Sequence, residues 1–144
     1  MAFEGEYVLL VKHHPFVKDR PAIPSESASF AFDISDKVTI EDALIVADVC
    51  ISDYSSLVFE YSLFERPMVF FTPTTKRNTT TGAGFYYDYE DLTPGPVFKS
   101  NQPMIEYLKN VDTLFDKKRV VEFRKRFMSA CDGRATDRII EEVL

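Results

Sequence analysis

The chain has 144 residues, 45% of them apolar, which is enough to bury one core without disulfide or metal staples. Its formal charge of -6, from 23 acidic and 17 basic side chains, argues against a non-specific nucleic-acid binder, while a local basic cluster still suits a phosphorylated small molecule. No run reaches the roughly 18 apolar residues of a membrane span, the first residues lack a signal-peptide pattern, and Cys50 and Cys131 have neither metal-ligand spacing nor the density of a secreted scaffold, so the expectation is one cytoplasmic domain spanning 1–144.

In chain order, "YVLLV" at 7–11 is a short apolar run rich in β-formers, which predicts a strand covered on both faces and ending at "KHHP". Residues 16–29 are rich in proline and small polar side chains and read as a loop, after which "SFAFDIS" predicts a second strand ending near Asp33. In "TIEDALIVADV" the spacing of Ile40, Ala43, Leu44 and Ala47 predicts an amphipathic helix capped by Thr39, with Glu41 and Asp42 in its first turn. A strand "VCIS" follows, then the polar knot 52–56, then a helix over "SSLVFEYSLFE" that Pro67 stops, and a fourth strand "MVFF". This alternation predicts an α/β fold: a Rossmann-like parallel sheet with right-handed crossovers and helices on its faces.

The second half has a different texture. Residues 72–99 carry most of the glycines, three prolines and the cluster "FYYDYE", which reads as an ordered loop over a site in place of a sheet element. Helices are expected over "QPMIEYLKNV", "KKRVVEFRKRFMSAC" and "ATDRIIEEVL". In the middle one, Val120, Phe123, Phe127 and Cys131 follow helical spacing, and Lys117, Lys118, Arg119, Arg124, Lys125 and Arg126 take the other face. That basic face suits either solvent or an anionic lipid surface.

Ligands of open parallel sheets sit beyond the carboxyl ends of the strands, where following helices present unpaired N–H groups. The segment "ISDYSS" falls there, so Ser55 and Ser56 suit a phosphate or diphosphate; helix capping by Asp53 or Ser55 is the other reading. On the same edge, Lys12 in "KHHP" suits a phosphate and a histidine beside it a proton donor, against a plain solvated turn before Pro15. Ser35 and Asp36 end the second strand, as site residues or as a loop start. Glu60, one turn after Ser56, is within reach of ligand hydroxyls or is an ordinary solvated acid. Phe85, Tyr86, Tyr87 and Tyr89 suit base stacking or packing, and the "CDGRATDRII" segment with Arg134 and Arg138 reads as a structural terminal helix. There is no Gly-rich phosphate loop, nucleophile elbow or zinc-ligand cluster. The polar groups point to transfer or binding of a nucleotide-activated group without a metal.

Taken together, "KHHP", "FAFDIS", "ADVCISDYSSLVFEYSLFERPMVFF", "GFYYDYEDLTPGPVF" and "DGRATDRII" resemble, in order and spacing over nearly the whole chain, the CDP-glycerol glycerophosphotransferase family, enzymes of teichoic-acid-type surface polymers. The resemblance implies the C-terminal, donor-binding half of a GT-B fold, with CDP-glycerol or CDP-ribitol as donor and no cofactor. It places Lys12 and His14 in the Arg/Lys-x-His-Pro motif, His14 acting at the donor pyrophosphate. It places Ser35 and Asp36 after the second strand, Ser55 and Ser56 at the diphosphate, and Glu60 near the polyol hydroxyls or ribose. The family's arginine before glycine-phenylalanine-tyrosine is replaced here by Ala83-Gly84, with Arg77 upstream as a substitute. The implied reaction moves a polyol phosphate to a membrane-anchored polymer and releases CMP, in a full-length enzyme peripheral at the inner face of the membrane. A separate N-terminal acceptor domain would supply the base, so the 144 residues alone are expected to turn over negligibly. The alternatives are a GT-B domain for a nucleotide sugar and a non-catalytic interaction domain of the same fold.

Overall fold

Parallel strand pairing organises the chain in two places, over residues 9–33 and 50–98. The computed structural model describes residue 3 and residues 5–53, 55–73 and 93–143. These divide into two compact units, 1–47 and 48–144.

In the first unit, β1 (Leu9–Val11) lies parallel to β2 (Ala31–Asp33), with Leu9 opposite Ala31 and Val11 opposite Asp33. The loop between them holds only a 3-10 turn at Ser25–Ser27. Helix α1 (Ile40–Val46) begins as its sequence predicts: the Asp42 N–H donates to Thr39 Oγ1 (3.1 Å), and the Thr39 hydroxyl donates back to the Asp42 carboxylate (2.8 Å). Ala31, Ile34, Ala43 and Leu44 form the small core of this unit. Leu9 and Leu10 remain 40% and 39% exposed, against the two-sided coverage that their run predicted. Among the described residues β1 belongs to a two-stranded sheet, and its pairing with β2 shields an edge of the strand, not its two faces.

The second unit contains β3 (Cys50–Ser52), β4 (Met68–Phe71) and β5 (Val97–Phe98), parallel throughout and in the order β3-β4-β5. Between β3 and β4 lies α2 (Leu57–Tyr61), which passes into a 3-10 turn at Ser62–Phe64. The predicted helix is thus tightened and ends before Pro67. The Ser62 hydroxyl donates to the Phe59 carbonyl (2.6 Å), a local bond that competes with the helical ladder, and Glu65 then turns the chain in the left-handed region at φ 52°. The core centres on β4: Met68, Val69 and Phe70 are at most 2% exposed, and Tyr61 and Val120 are fully buried. Burial lifts the Tyr61 phenol well above its ordinary value and pushes the Cys50 thiol up to about 11. Neither cysteine is in a disulfide; Cys50 is buried and Cys131 exposed.

Strand β5 corrects the expectation of a loop throughout 72–99. It is two residues long, too short for any periodicity, and what admits it is Gly95: a Cβ there would lie 2.0 Å from the Met68 carbonyl oxygen. The helices α3 (Asn101–Lys109), α4 (Val111–Leu114), α5 (Lys117–Phe127) and α6 (Ala135–Val143) follow. Helix α5 is capped by the Asp116 carboxylate, which accepts from the Arg119 N–H (3.3 Å). It ends at Phe127, so Cys131 lies outside the helical face expected to include it. Across the described residues, parallel strands flanked by helices bear out the α/β reading.

Candidate functional site

Parallel pairing delivers the ends of β1 and β2 to one edge of their sheet, and the chain leaves both strands there through polar residues. From β2, Asp33 turns the chain back: its Oδ1 accepts the Ser35 N–H (2.8 Å), and the hydroxyl and N–H of Ser35 together hold the Asp33 carboxyl below the usual carboxylate range. From β1, the His13 N–H donates to Ser35 Oγ (2.9 Å), and Lys12 Nζ donates to the carbonyls of Ser35 (3.1 Å) and Val38 (2.6 Å). Asp36 is paired with Arg20 (2.5 Å). The sequence therefore brings Lys12, Ser35 and Asp36 to one edge, and each is already bonded within the protein. Lys12 retains one of its three N–H donors.

His14 differs. It is exposed, its ring is tilted against Phe16 at 4.9 Å, and its Nδ1 accepts the Phe16 N–H (3.2 Å). With Nδ1 accepting, the proton of the neutral ring sits on Nε2, and the imidazole is set to donate from that atom. His13, which the sequence reading passed over, has a buried Nε2 without a hydrogen-bond partner among the described residues. No sequence signal separated the two adjacent histidines beyond the motif position of His14.

In the second unit, β3 ends at Ser52 and the chain enters α2 through Ser55 and Ser56. Ser55 Oγ accepts the Leu57 N–H (3.3 Å), so the capping-type reading of Ser55 holds as a local turn bond. Ser56 occupies the N-cap position and makes no side-chain cap bond. Glu60 follows four residues later on the same face, and both side chains are exposed. Neither the Ser56 hydroxyl nor the Glu60 carboxylate has a partner among the described residues. Beside that face, Phe59 of α2 stacks on Phe123 of α5 (5.4 Å, 27°) and meets Phe127 edge-on (5.7 Å), and Val58 and Tyr61 on the far side are buried.

Two further expectations are clarified. The basic face of α5 is partly consumed by the fold: Arg119 Nε donates to the Thr93 carbonyl (2.8 Å), Arg124 Nη1 to Glu65 Oε1 (2.7 Å), and Lys117 lies 3.4 Å from Glu65 Oε2. Arg138 clasps Asp132 with two 2.8 Å bonds and the Ala130 carbonyl (2.6 Å), which fixes the start of α6 as a structural element and holds the Asp132 carboxyl low. Arg77, Ala83-Gly84 and the aromatic positions 85–89 lie outside the described residues, as does Tyr54. Among the described residues no cluster of His, Cys, Asp and Glu is placed to hold a metal ion.

Parallel strands joined through helices place the chain in the Rossmann-like α/β class. The comparisons narrow the class. The family model for CDP-Glycerol:Poly(glycerophosphate) glycerophosphotransferase matches residues 1–144. The chain is 36% identical over 141 residues to the teichoic acid poly(ribitol-phosphate) polymerase of Bacillus spizizenii, covering 98% of this chain and 22% of that protein. It is 36% identical to the teichoic acid ribitol-phosphate polymerase TarK of Staphylococcus aureus, with coverages of 94% and 26%. A Bacillus spizizenii teichoic acid poly(glycerol phosphate) polymerase is 30% identical, with coverages of 97% and 35%. Among solved structures, the wall teichoic acid polymerase TagF superposes with a TM-score of 0.79 at 29% identity, over 92% of this chain and 33% of that one. A TagF variant reaches a TM-score of 0.82 at 28% identity, over 96% and 34%. The chain belongs to the CDP-glycerol:poly(glycerophosphate) glycerophosphotransferase family. It spans between about a fifth and about a third of the length of these relatives.

Proposed function

We propose that this chain is the donor-binding part of a CDP-polyol phosphotransferase that transfers glycerol phosphate or ribitol phosphate to a teichoic-acid-type polymer. In the reaction an acceptor hydroxyl attacks the phosphorus that bears the polyol. A new P–O bond forms to the acceptor, the bond to the bridging oxygen breaks, and CMP leaves. His14 Nε2 donates to the departing CMP phosphate, as proton or hydrogen bond, and the remaining N–H of Lys12 stabilises its charge. Ser55 and Ser56 meet the diphosphate and Glu60 the hydroxyls of polyol or ribose. Ser35 and Asp36 serve the donor by shaping the loop that carries Lys12 and His14, and Arg77 adds a cation for the phosphates.

The acceptor and the base that takes its proton come from protein outside these 144 residues, and the parent works at the inner face of the membrane on an anchored polymer. No helix among the described residues is long and apolar enough to cross a membrane. An anchored acceptor supports that location, and Lys118 and Lys125 of α5 are exposed cations suited to an anionic surface.

The observation that carries the reading is the His14 ring. An exposed imidazole whose Nδ1 is occupied by the Phe16 N–H is preset to donate from Nε2, which is what a leaving phosphate requires. Calorimetric titration of the full-length parent with CDP-glycerol, CDP-ribitol and UDP-sugars tests it. A cytidine diphosphate polyol is expected to bind at least about tenfold tighter than any UDP-sugar; preference for a UDP-sugar would make the protein a glycosyltransferase instead.

A further inference from the structure

Helix α2 has five residues, too few to hold a helical conformation or an orientation by themselves, yet it carries Ser56 at its start and Glu60 on its open face. Whatever fixes α2 fixes those two groups. One anchor is the Phe59, Phe123 and Phe127 cluster. Val58 and Tyr61, buried in the core, are a second. A third, at the far end, is Glu65, where α2 and its 3-10 turn end.

Glu65 is unusual on two counts. It is the sole non-glycine residue with positive φ among the described residues, at φ 52° and ψ 36°, a conformation in which glycine or asparagine would be less strained. Its carboxylate is also divided between two cations of α5: Oε1 accepts from Arg124 (2.7 Å) and Oε2 faces Lys117 (3.4 Å). Lys117 and Arg124 are seven residues apart, hence on one face of α5, so the carboxylate is gripped from both sides. Arg124, and after it Lys117, hold the Glu65 carboxyl below its ordinary range. A glycine would relieve the backbone and lose the grip.

We propose that the Glu65–Arg124–Lys117 clasp is a positioning device for donor binding, which holds α2 against α5 so that Ser56 and Glu60 meet the donor in register. Glu65 touches no donor atom in this account; it acts through α2. The inference rests on the donor-site reading of Ser56 and Glu60 given above. It explains why a strained backbone position keeps an acid: the side chain orients the helix, and the strain is tolerated for that orientation.

The test uses the full-length parent assayed for polyol-phosphate transfer, with the melting temperature recorded for each variant. Glu65→Gly removes the carboxylate while relaxing the backbone. The expected result is a KM for the CDP-polyol raised about five- to tenfold, with kcat within about twofold and the melting temperature unchanged or higher. Arg124→Gln, which leaves the Glu65 backbone as it is, is expected to raise KM in the same direction and serves if the glycine variant does not fold. Glu65→Gly combined with Glu60→Gln should raise KM by less than the product of the single effects, because a misplaced Glu60 has less to lose. An unchanged KM in Glu65→Gly or Arg124→Gln, alongside a shifted melting temperature, would reduce the clasp to a structural tie. If Ser56→Ala and Glu60→Gln leave KM unchanged, the donor-site reading fails; if they raise it while Glu65→Gly does not, the clasp alone fails.

Discussion

The polar edge of the first unit and the start of α2 in the second are built from the same kinds of residue and use them differently. At the first, Lys12 and Ser35 bond to carbonyls, N–H groups and a carboxylate of their own unit, and Asp36 is tied to Arg20; of the expected set His14 keeps an exposed ring with a donor atom to offer, and Lys12 keeps a single N–H. At the second, Ser56 and Glu60 lie exposed and without partners among the described residues. A hydroxyl or a charge at the end of a strand can therefore be a strut or a ligand contact. Its existing bonds distinguish the two, because a buried or half-buried group that loses its partner costs stability, whereas an exposed group without one costs only what it binds.

Substitutions that divide the two roles sharpen this comparison. The largest effect is expected at His14: in the full-length parent, His14→Ala should lower kcat for polyol-phosphate transfer by about 10²- to 10³-fold with an unchanged melting temperature. Loss of stability with activity intact would make the ring a turn element and erase the contrast with Lys12. Next comes Lys12→Met, which leaves the Ser35 and Val38 carbonyls without their donor and should cost about 2 kcal/mol in chemical denaturation. A native denaturation midpoint would show that Lys12 is not a strut.

Ser35→Ala is expected to be milder and to carry a signature in pH. Asp33 is depressed chiefly by the Ser35 hydroxyl and N–H. A lowered native pKa contributes stability above the unfolded value and loses it as pH falls through the native one. The wild type should thus melt a few degrees above Ser35→Ala near neutral pH, and the gap should close as the pH falls below about 4. A gap independent of pH would mean that the hydroxyl does not act through Asp33.

Much of the fold was legible in the sequence, for identifiable reasons. Apolar runs bounded by polar clusters located β1 to β4, and Thr39 with Asp42 fixed the start of α1 by a local bond that needs no tertiary partner. What escaped depended on contacts distant in sequence. Strand β5 exists because Gly95 lets the backbone pass the Met68 carbonyl, and the division of α5's basic face depends on Thr93 and Glu65, 26 and 59 residues away from Arg119 and Arg124. The same holds for the candidate site. Residue types and motif order pointed to Lys12, His14, Ser35, Asp36, Ser55, Ser56 and Glu60, but nothing in the spacing said which were already bonded. The exposed flank of β1 was likewise invisible, because an apolar run reads alike whether covered or open.

The most direct test sets Ser56→Ala beside Ser35→Ala in the full-length parent, titrating each with CDP-glycerol and CDP-ribitol by calorimetry and recording its melting temperature. The account predicts about tenfold weaker donor binding with native melting for Ser56→Ala. For Ser35→Ala it predicts near-native binding with a lowered melting temperature. The reverse pattern, with Ser56→Ala binding like the wild type and Ser35→Ala losing the donor at full stability, would contradict it.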